Sequence, residues 1–285
     1  MLKRPLVVAE IGCNHRGDPA TAAKMVSVAA ECGADFVKFQ KRHVPGMPEN
    51  RRNAPHPNPH NSYGSTYGEH RQVLELTVDD HKAAADAAEE LGITAFTSVW
   101  DVVSAKEMAP VYQEHLKVPS ACNTDHALVA HLADEYGGTI HLSLGMTTRE
   151  EEERVVRLLY CKDRLRDTVL YHSTSGYPIE PQDACLLELQ RLRADYGVDC
   201  RAIGYSGHHN GIALDLTAFA MGAQIIERHF TLDRTWRGTD HAASLEPAGL
   251  TKLVRDLRAA GQAMTFKPGI LECEIANRLK LKELG

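Results

Sequence analysis

The feature of this sequence that most restricts its fold is an alternation. Short apolar runs, each long enough for a strand, are followed by amphipathic runs long enough for a helix. The expected strands cover residues 6–11, 35–40, 94–99, 115–120, 139–144, 168–173, 201–206 and 224–230. The expected helices cover residues 19–31, 78–91, 102–112, 126–136, 149–159, 181–196, 212–221 and 247–264. Asp18 is placed to cap the first helix, Pro19 to start it and Gly33 to stop it. Strict βα alternation implies a parallel sheet, and eight repeats imply a closed (β/α)8 TIM barrel. The run Gly12-Cys13-Asn14-His15-Arg16-Gly17 after the first strand is not a GxGxxG turn, which weakens an open dinucleotide-binding sheet. The expected organisation is one α/β domain, residues 1–265, and a polar, helix-prone tail, residues 266–285.

One segment breaks the rhythm. Residues 41–72 carry Pro45, Pro48, Pro55, Pro57 and Pro59 among Asn, Gly and Arg. A loop this long inside a regular fold is usually functional or disordered, and a substrate cover is expected. Its histidines, His56, His60 and His70, are expected to be solvated.

Composition narrows the partners. A net charge of -6 argues against a nucleic-acid surface or an acidic membrane surface. The apolar run near the N-terminus is short and interrupted by Glu10, which is neither a signal peptide nor a membrane span. Seven cysteines without a CxxC pair suit reduced thiols in the cytoplasm.

Polar residues mark the strands. Glu10, Lys38, Gln40, Thr97, Ser98, Lys117, Ser120, Ser143, His172, Ser175, Ser206, His208, Glu227 and His229 lie in or just after them. Barrel interiors are normally filled with branched apolar side chains, and active sites gather at the C-terminal strand ends. Burying so many polar groups is costly unless they line a cavity. Lys38 and Lys117, with the hydroxyls of Ser98, Ser120, Ser143 and Ser206, suit a small, multiply charged anion such as a phosphate-carboxylate. His208 and His229 suit a divalent metal that polarises a carbonyl oxygen. Glu10 suits proton transfer or water positioning. Together these groups fit the condensation of a phosphorylated enol with an aldehyde. Structural alternatives stand beside each assignment. Lys38 could instead be a structural ion pair with Glu10 or Glu227. Glu227 could orient His229 or neutralise Arg228. His172 reads best as a satisfied core histidine, and His208 as a loop residue if no metal is present. A Schiff-base aldolase also places lysine on a strand, but the histidine pair and the second lysine argue against it.

The motifs Ala9-Glu10-Ile11-Gly12-Cys13-Asn14-His15, Lys38-Phe39-Gln40, Ser143-Leu144-Gly145-Met146, His172-Ser173-Thr174-Ser175-Gly176-Tyr177-Pro178, Ser206-Gly207-His208, Ile226-Glu227-Arg228-His229-Phe230 and Gly238-Thr239-Asp240-His241-Ala242-Ala243-Ser244 resemble the sialic acid synthase family, in order over residues 5–257. That family includes the N-acetylneuraminate, legionaminate and pseudaminate synthases. The resemblance implies a metal-dependent transferase of carbohydrate biosynthesis that condenses phosphoenolpyruvate (PEP) with an open-chain sugar aldehyde. The products would be a 2-keto-3-deoxy nonulosonic acid and phosphate. It implies Mn2+, with Mg2+ or Co2+ as substitutes, on His208 and His229. Glu10, Lys38, Lys117 and Glu227 would form the catalytic group, with Glu227 supporting the metal site. Ser120, Ser143 and Ser206, assisted by Thr97 or Ser98, would hold PEP. Gln40, Tyr177 and Asp240 would face the sugar, and a homo-oligomer is expected.

The departures from the family pattern are Cys122 for a glutamate, Ser175 for an asparagine and Gly207 for an aspartate. Relatives also carry a C-terminal antifreeze-like domain whose arginine reaches a neighbouring subunit, and this chain is expected to lack it. The acceptor is thereby left open among N-acetylated, phosphorylated and plain aldoses. Arg51, Arg52, His70 and Arg71 of the long loop are expected to replace the missing contacts. Two rivals remain: a 3-deoxy-octulosonate phosphate synthase-like enzyme, and a non-catalytic sugar-binding barrel.

Overall fold

The computed structural model describes residues 4–282. The last three residues of the expected tail, 283–285, and the first three of the chain lie outside that range. Eight parallel strands close into a barrel in sequence order: β1 (Leu6–Gly12), β2 (Phe36–Lys41), β3 (Thr94–Val99), β4 (His115–Val118), β5 (Thr139–Ser143), β6 (Thr168–Ser173), β7 (Ala202–Gly207) and β8 (Ile225–His229). The helices are α1 (Pro19–Glu31), α2 (Glu49–Arg52), α3 (Tyr67–Leu74), α4 (Val78–Glu90), α5 (Val102–Met108), α6 (His126–Glu135), α7 (Arg149–Cys161), α8 (Leu187–Tyr196), α9 (Ala213–Ala220), α10 (Pro247–Ala263) and α11 (Glu272–Lys282). The barrel is therefore the (β/α)8 fold expected from the alternation.

Local chemistry accounts for most boundaries. Asp18 caps α1, its carboxylate accepting from the amides of Ala20 and Thr21. β4 stops at Val118 because Pro119 has no amide hydrogen to give the ladder. The helix expected over 181–196 is divided: a 3-10 turn, Pro181–Ala184, is separated from α8 by Cys185 in a left-handed conformation. The register of β1 against β2 shifts between Glu10 and Gly12. Such a bulge re-aims side chains at a barrel rim.

Two apolar layers hold the fold. The larger lies between the strands and the helices and includes Val7, Ala9, Phe39, Leu116, Leu142, Leu189 and Leu253. The smaller fills the barrel's lower interior with Val8, Phe96, Val169, Tyr171, Ala202 and Ile225. Burial removes apolar surface from water, contributing about 25 cal/mol per Å2. The inner plug also carries hydrogen-bonded polar groups. His141 bonds the Tyr171 hydroxyl at 2.8 Å and His115 at 3.0 Å. All seven cysteines are free thiols.

The long segment before α4 is folded. It contains α2, α3 and two 3-10 turns, and it lies over the C-terminal mouth of the barrel. Thr66 and Glu69 form a reciprocal capping box at the start of α3. Contrary to the expectation of solvated histidines, His56 and His70 are buried, and only His60 is exposed. Their rings pack against one another at a tilt, with centroids 4.3 Å apart, and Tyr67 stacks on His56.

Candidate active site

A cavity of about 520 Å3 occupies the C-terminal end of the barrel. Of the residues expected from the sequence to form the catalytic, PEP-binding, sugar-binding and metal groups, all but Thr97 line it; the long-loop residues are taken up below. Side chains alternate along a strand, so when Ser98 faces the cavity its neighbour Thr97 faces the helices. There the Thr97 hydroxyl is buried without a partner. Thr97 is withdrawn as a substrate contact, and Ser98 is the inward residue.

Four charged residues form the floor. The Lys38 ammonium is 2.6 Å from Glu10 and 3.6 Å from Glu227, and it donates to the Ser98 hydroxyl at 2.9 Å. Lys117 donates to both oxygens of Glu227 at 2.8 Å and lies 4.2 Å from the centre of the Tyr171 ring. The Ser206 hydroxyl donates to Glu227 at 3.1 Å. The two structural alternatives for Lys38 are thus both realised. Glu227 neutralises the lysines, while Arg228 points outward and pairs with Asp215 at 2.5 Å.

Burial and charge set the protonation states. Burial lowers the pKa of Lys117 to about 8, with Lys38 adding repulsion and Glu227 opposing the shift. Burial also works against the charge of Lys38, but Glu10 and Glu227 outweigh it and raise its pKa. Burial alone would push the Glu227 carboxyl up. Lys117 and Lys38 prevail and hold it well below the usual carboxylate range. At neutral pH Glu227 is therefore a carboxylate.

The histidine pair stands on the adjoining rim. His208 and His229 have ring centroids 5.4 Å apart, and the Tyr177 ring lies 4.3 Å from His208 and 5.7 Å from His229. His208 Nδ1 is 2.7 Å from the Thr174 carbonyl. A carbonyl only accepts, so Nδ1 carries the proton and Nε2 keeps its lone pair. Burial lowers the pKa of His208 to about 3, with His229 adding to the shift, and the ring is neutral. His229 Nδ1 is buried without a hydrogen-bond partner, 3.8 Å from Asp240. A neutral imidazole with a fixed tautomer beside an orphaned imidazole nitrogen fits a divalent ion. Among the described residues no third His, Cys, Asp or Glu completes a protein cage. Such an ion would keep positions open for substrate or water.

Close packing around these groups explains two glycines. A Cβ on Gly145 would come within 2.6 Å of the Ser120 hydroxyl and 2.8 Å of that of Ser175. A Cβ on Gly207 would lie 2.8 Å from the Tyr205 ring and 3.0 Å from that of His209. The departure from aspartate at Gly207 is therefore built into its surroundings. The thiol of Cys122 donates to the Trp100 carbonyl at 3.3 Å and does not line the cavity. His172 is the satisfied core histidine expected, bonded to the Ala184 carbonyl at 2.7 Å.

The sequence reading missed Arg42, Trp100, Asn58, Asn61 and Tyr67, all in the cavity wall. The Arg42 guanidinium stacks on the Trp100 ring at 3.7 Å. It also donates to Gln40 Oε1 at 2.6 Å, and Gln40 in turn donates to Glu10 at 2.7 Å. The signal for Arg42 was its place just beyond a strand end. Of the four loop residues expected to contact substrate, Arg71 lines the cavity and Arg51, Arg52 and His70 do not. Arg52 donates to the Pro45 carbonyl, and His70 Nδ1 accepts from the Tyr63 amide.

Residues 25–268 match the model of the NeuB family. The chain is 38% identical to the N-acetylneuraminate-9-phosphate synthase of Mus musculus, covering 96% of this chain and 76% of that protein. It is 33% identical to the N,N'-diacetyllegionaminic acid synthase of Campylobacter jejuni, covering 92% and 78%. Among solved structures it resembles an N-acetylneuraminic acid (sialic acid) synthetase from Leptospira borgpetersenii in complex with citrate. That match has a TM-score of 0.81 and 29% identity, and covers 98% of this chain and 93% of that one.

Proposed function

This chain belongs to the NeuB family, and from that premise we propose that it condenses PEP with an open-chain sugar aldehyde to give a nonulosonic acid and phosphate. The observation that carries the reading is the floor quartet of Glu10, Lys38, Lys117 and Glu227 beside the paired imidazoles of His208 and His229. Two ammonium groups whose charge is held in reserve by carboxylates suit a ligand with a phosphate and a carboxylate. The hydroxyls of Ser98, Ser120, Ser143, Ser175 and Ser206 surround them as neutral donors.

In the proposed reaction C3 of PEP attacks the aldehyde carbon, and the aldehyde oxygen takes up a proton. Water adds at C2 and gives up one proton; the C2–O bond to phosphate then breaks, the C2 hydroxyl passes its proton to the departing phosphate, and the C2 ketone forms. A divalent ion on His208 and His229, Mn2+ in the first instance, would supply Lewis-acid polarisation of the aldehyde oxygen. Lys38 and Lys117 hold the enol phosphate and draw off the charge that builds on phosphate as it leaves. Glu10, fixed between Lys38 and Gln40, orients the water and accepts its proton. Tyr177 and Asp240 border the histidines and are placed to orient sugar hydroxyls. Glu227 keeps both lysines charged and positioned. The relatives' names divide between a phosphorylated and an unphosphorylated product.

Free thiols at all seven cysteines suit a reducing, cytoplasmic setting, and no described helix is long and apolar enough to cross a membrane. The exposed apolar residues Ile275, Leu279 and Leu281 of α11 support assembly into a homo-oligomer. The test of function is phosphate release from PEP with Mn2+ across a panel of aldoses. Release with at least one aldose is expected, and its absence with all of them overturns the synthase reading.

A further inference from the structure

Resting on the synthase reading above, we propose that Arg71, with Arg42 behind it, receives a phosphate monoester at the end of the acceptor sugar remote from its aldehyde. Arg71 projects from α3 into the cavity mouth. Among the described residues it has no carboxylate within ion-pair distance. Its Nε donates to the Tyr67 hydroxyl at 3.0 Å, and its Nη1 to the Cys13 sulfur at 3.8 Å. Neither partner offsets a full positive charge, because Cys13 is buried and burial pushes its thiol pKa up. Arg42 reaches the same sulfur at 3.7 Å. The two guanidinium groups thus flank a single atom. Arg42 has Glu75 at 3.5 Å, so Arg71 is the unpaired member.

The local field agrees with this count. Tyr67 is largely buried, which raises its pKa, yet Arg71, Arg42 and Arg51 outweigh burial and leave it lowered. The fields of two carboxylates, Asp240 and Glu75, reach both arginines; Glu75 is engaged with Arg42, and Asp240 lies against His229.

The placement also gives a substrate a path. A line of contacts runs from the reaction floor to the mouth: Glu10 to Gln40, Gln40 to Arg42, then Arg42 and Arg71 to Cys13. An open-chain acceptor with its aldehyde at His208 and His229 extends along this line and brings its far end to Arg71. A guanidinium fork binds two oxygens of one anion in a plane. Two forks around one point favour the dianion of a phosphate monoester over a monoanionic carboxylate.

The experiment compares an aldose, its 6-phosphate and the matching uronic acid, by kcat/KM and by calorimetric titration, on the wild type, Arg71→Ala and Arg71→Lys. A charge-assisted contact of this kind is expected to favour the 6-phosphate by at least about tenfold in both measurements. Arg71→Ala is expected to bring that ratio below about threefold, with Arg71→Lys between, at matched melting temperature. Equal or better use of the plain aldose overturns the proposal, as does a preference for the uronic acid. An equal loss for all three ligands in Arg71→Ala overturns it too. Titration keeps this outcome separate from the synthase reading. Selective binding of the 6-phosphate without phosphate release sinks that reading and leaves the anion site standing. Turnover without phosphate selectivity does the reverse.

Discussion

At the scale of single residues, the site is a set of protonation states arranged by burial. Burial lowers the pKa of Lys117 to about 8, and in the proposed reaction only its ammonium form would attract PEP. Because the folded pKa is depressed, the charge is present below about pH 8 and lost as pH rises through it. The kcat/KM for PEP is therefore expected to fall above that pH, while kcat falls later because bound PEP stabilises the ammonium. A profile flat to pH 10 would count against Lys117 as a PEP contact. Removing the charge altogether has a second effect. Lys117→Ala leaves Glu227 with Lys38 at 3.6 Å and costs about 3–5 kcal/mol of stability, because a buried carboxylate loses its main partner. Chemical denaturation measures this. His208→Ala and His229→Ala are each expected to abolish Mn2+ binding by titration and to lower turnover by at least about 1,000-fold, with the fold retained. Unchanged Mn2+ affinity in either variant would rule that residue out as a ligand.

At the scale of elements, the strands were legible because a buried lysine or glutamate is too expensive to occur on a strand by accident. Lys38, Lys117, Glu10 and Glu227 therefore mark the cavity in the sequence itself. Thr97 did not separate from Ser98, because both are small hydroxyl residues at a strand end and only the pleat decides which faces inward. The segment of residues 41–72 was read as a cover, but its internal order was hidden. Its prolines mask two short helices, and the burial of His56 and His70 depends on their packing against one another, which no periodicity records. Arg42 was missed for a similar reason, since its role comes from Trp100, on a different strand connection. The cover offers its own test. Thr66→Ala removes the cap of α3 at a cost of about 1 kcal/mol. It is expected to raise the KM for the acceptor and leave that for PEP within about twofold, because α3 carries Arg71 and no floor residue. A matching rise in both would detach α3 from acceptor binding.

At the scale of the molecule, the barrel and the final helix are unequal partners. The barrel's core includes α10, whereas α11 has no buried residue. Truncation after residue 265 is accordingly expected to shift the melting temperature by less than about 3 °C, as read by circular dichroism. A larger loss would make α11 part of the folded unit. Size-exclusion chromatography of the same pair shows whether the apolar residues of α11 join subunits. The plug of Val8, Phe96, Val169, Tyr171, Ala202 and Ile225 has a wider consequence. It closes the lower end of the barrel, so traffic through the site has one door. In the proposed reaction PEP would sit at the back, on the lysines, and the sugar at the front, under α3. A sugar that entered first would then bar the way to PEP, and phosphate, released deepest, would wait until the sugar acid had gone. The expected signature of such a queue is phosphate acting as a product inhibitor competitive with PEP. An inhibition pattern competitive with the sugar instead would mean a second way out.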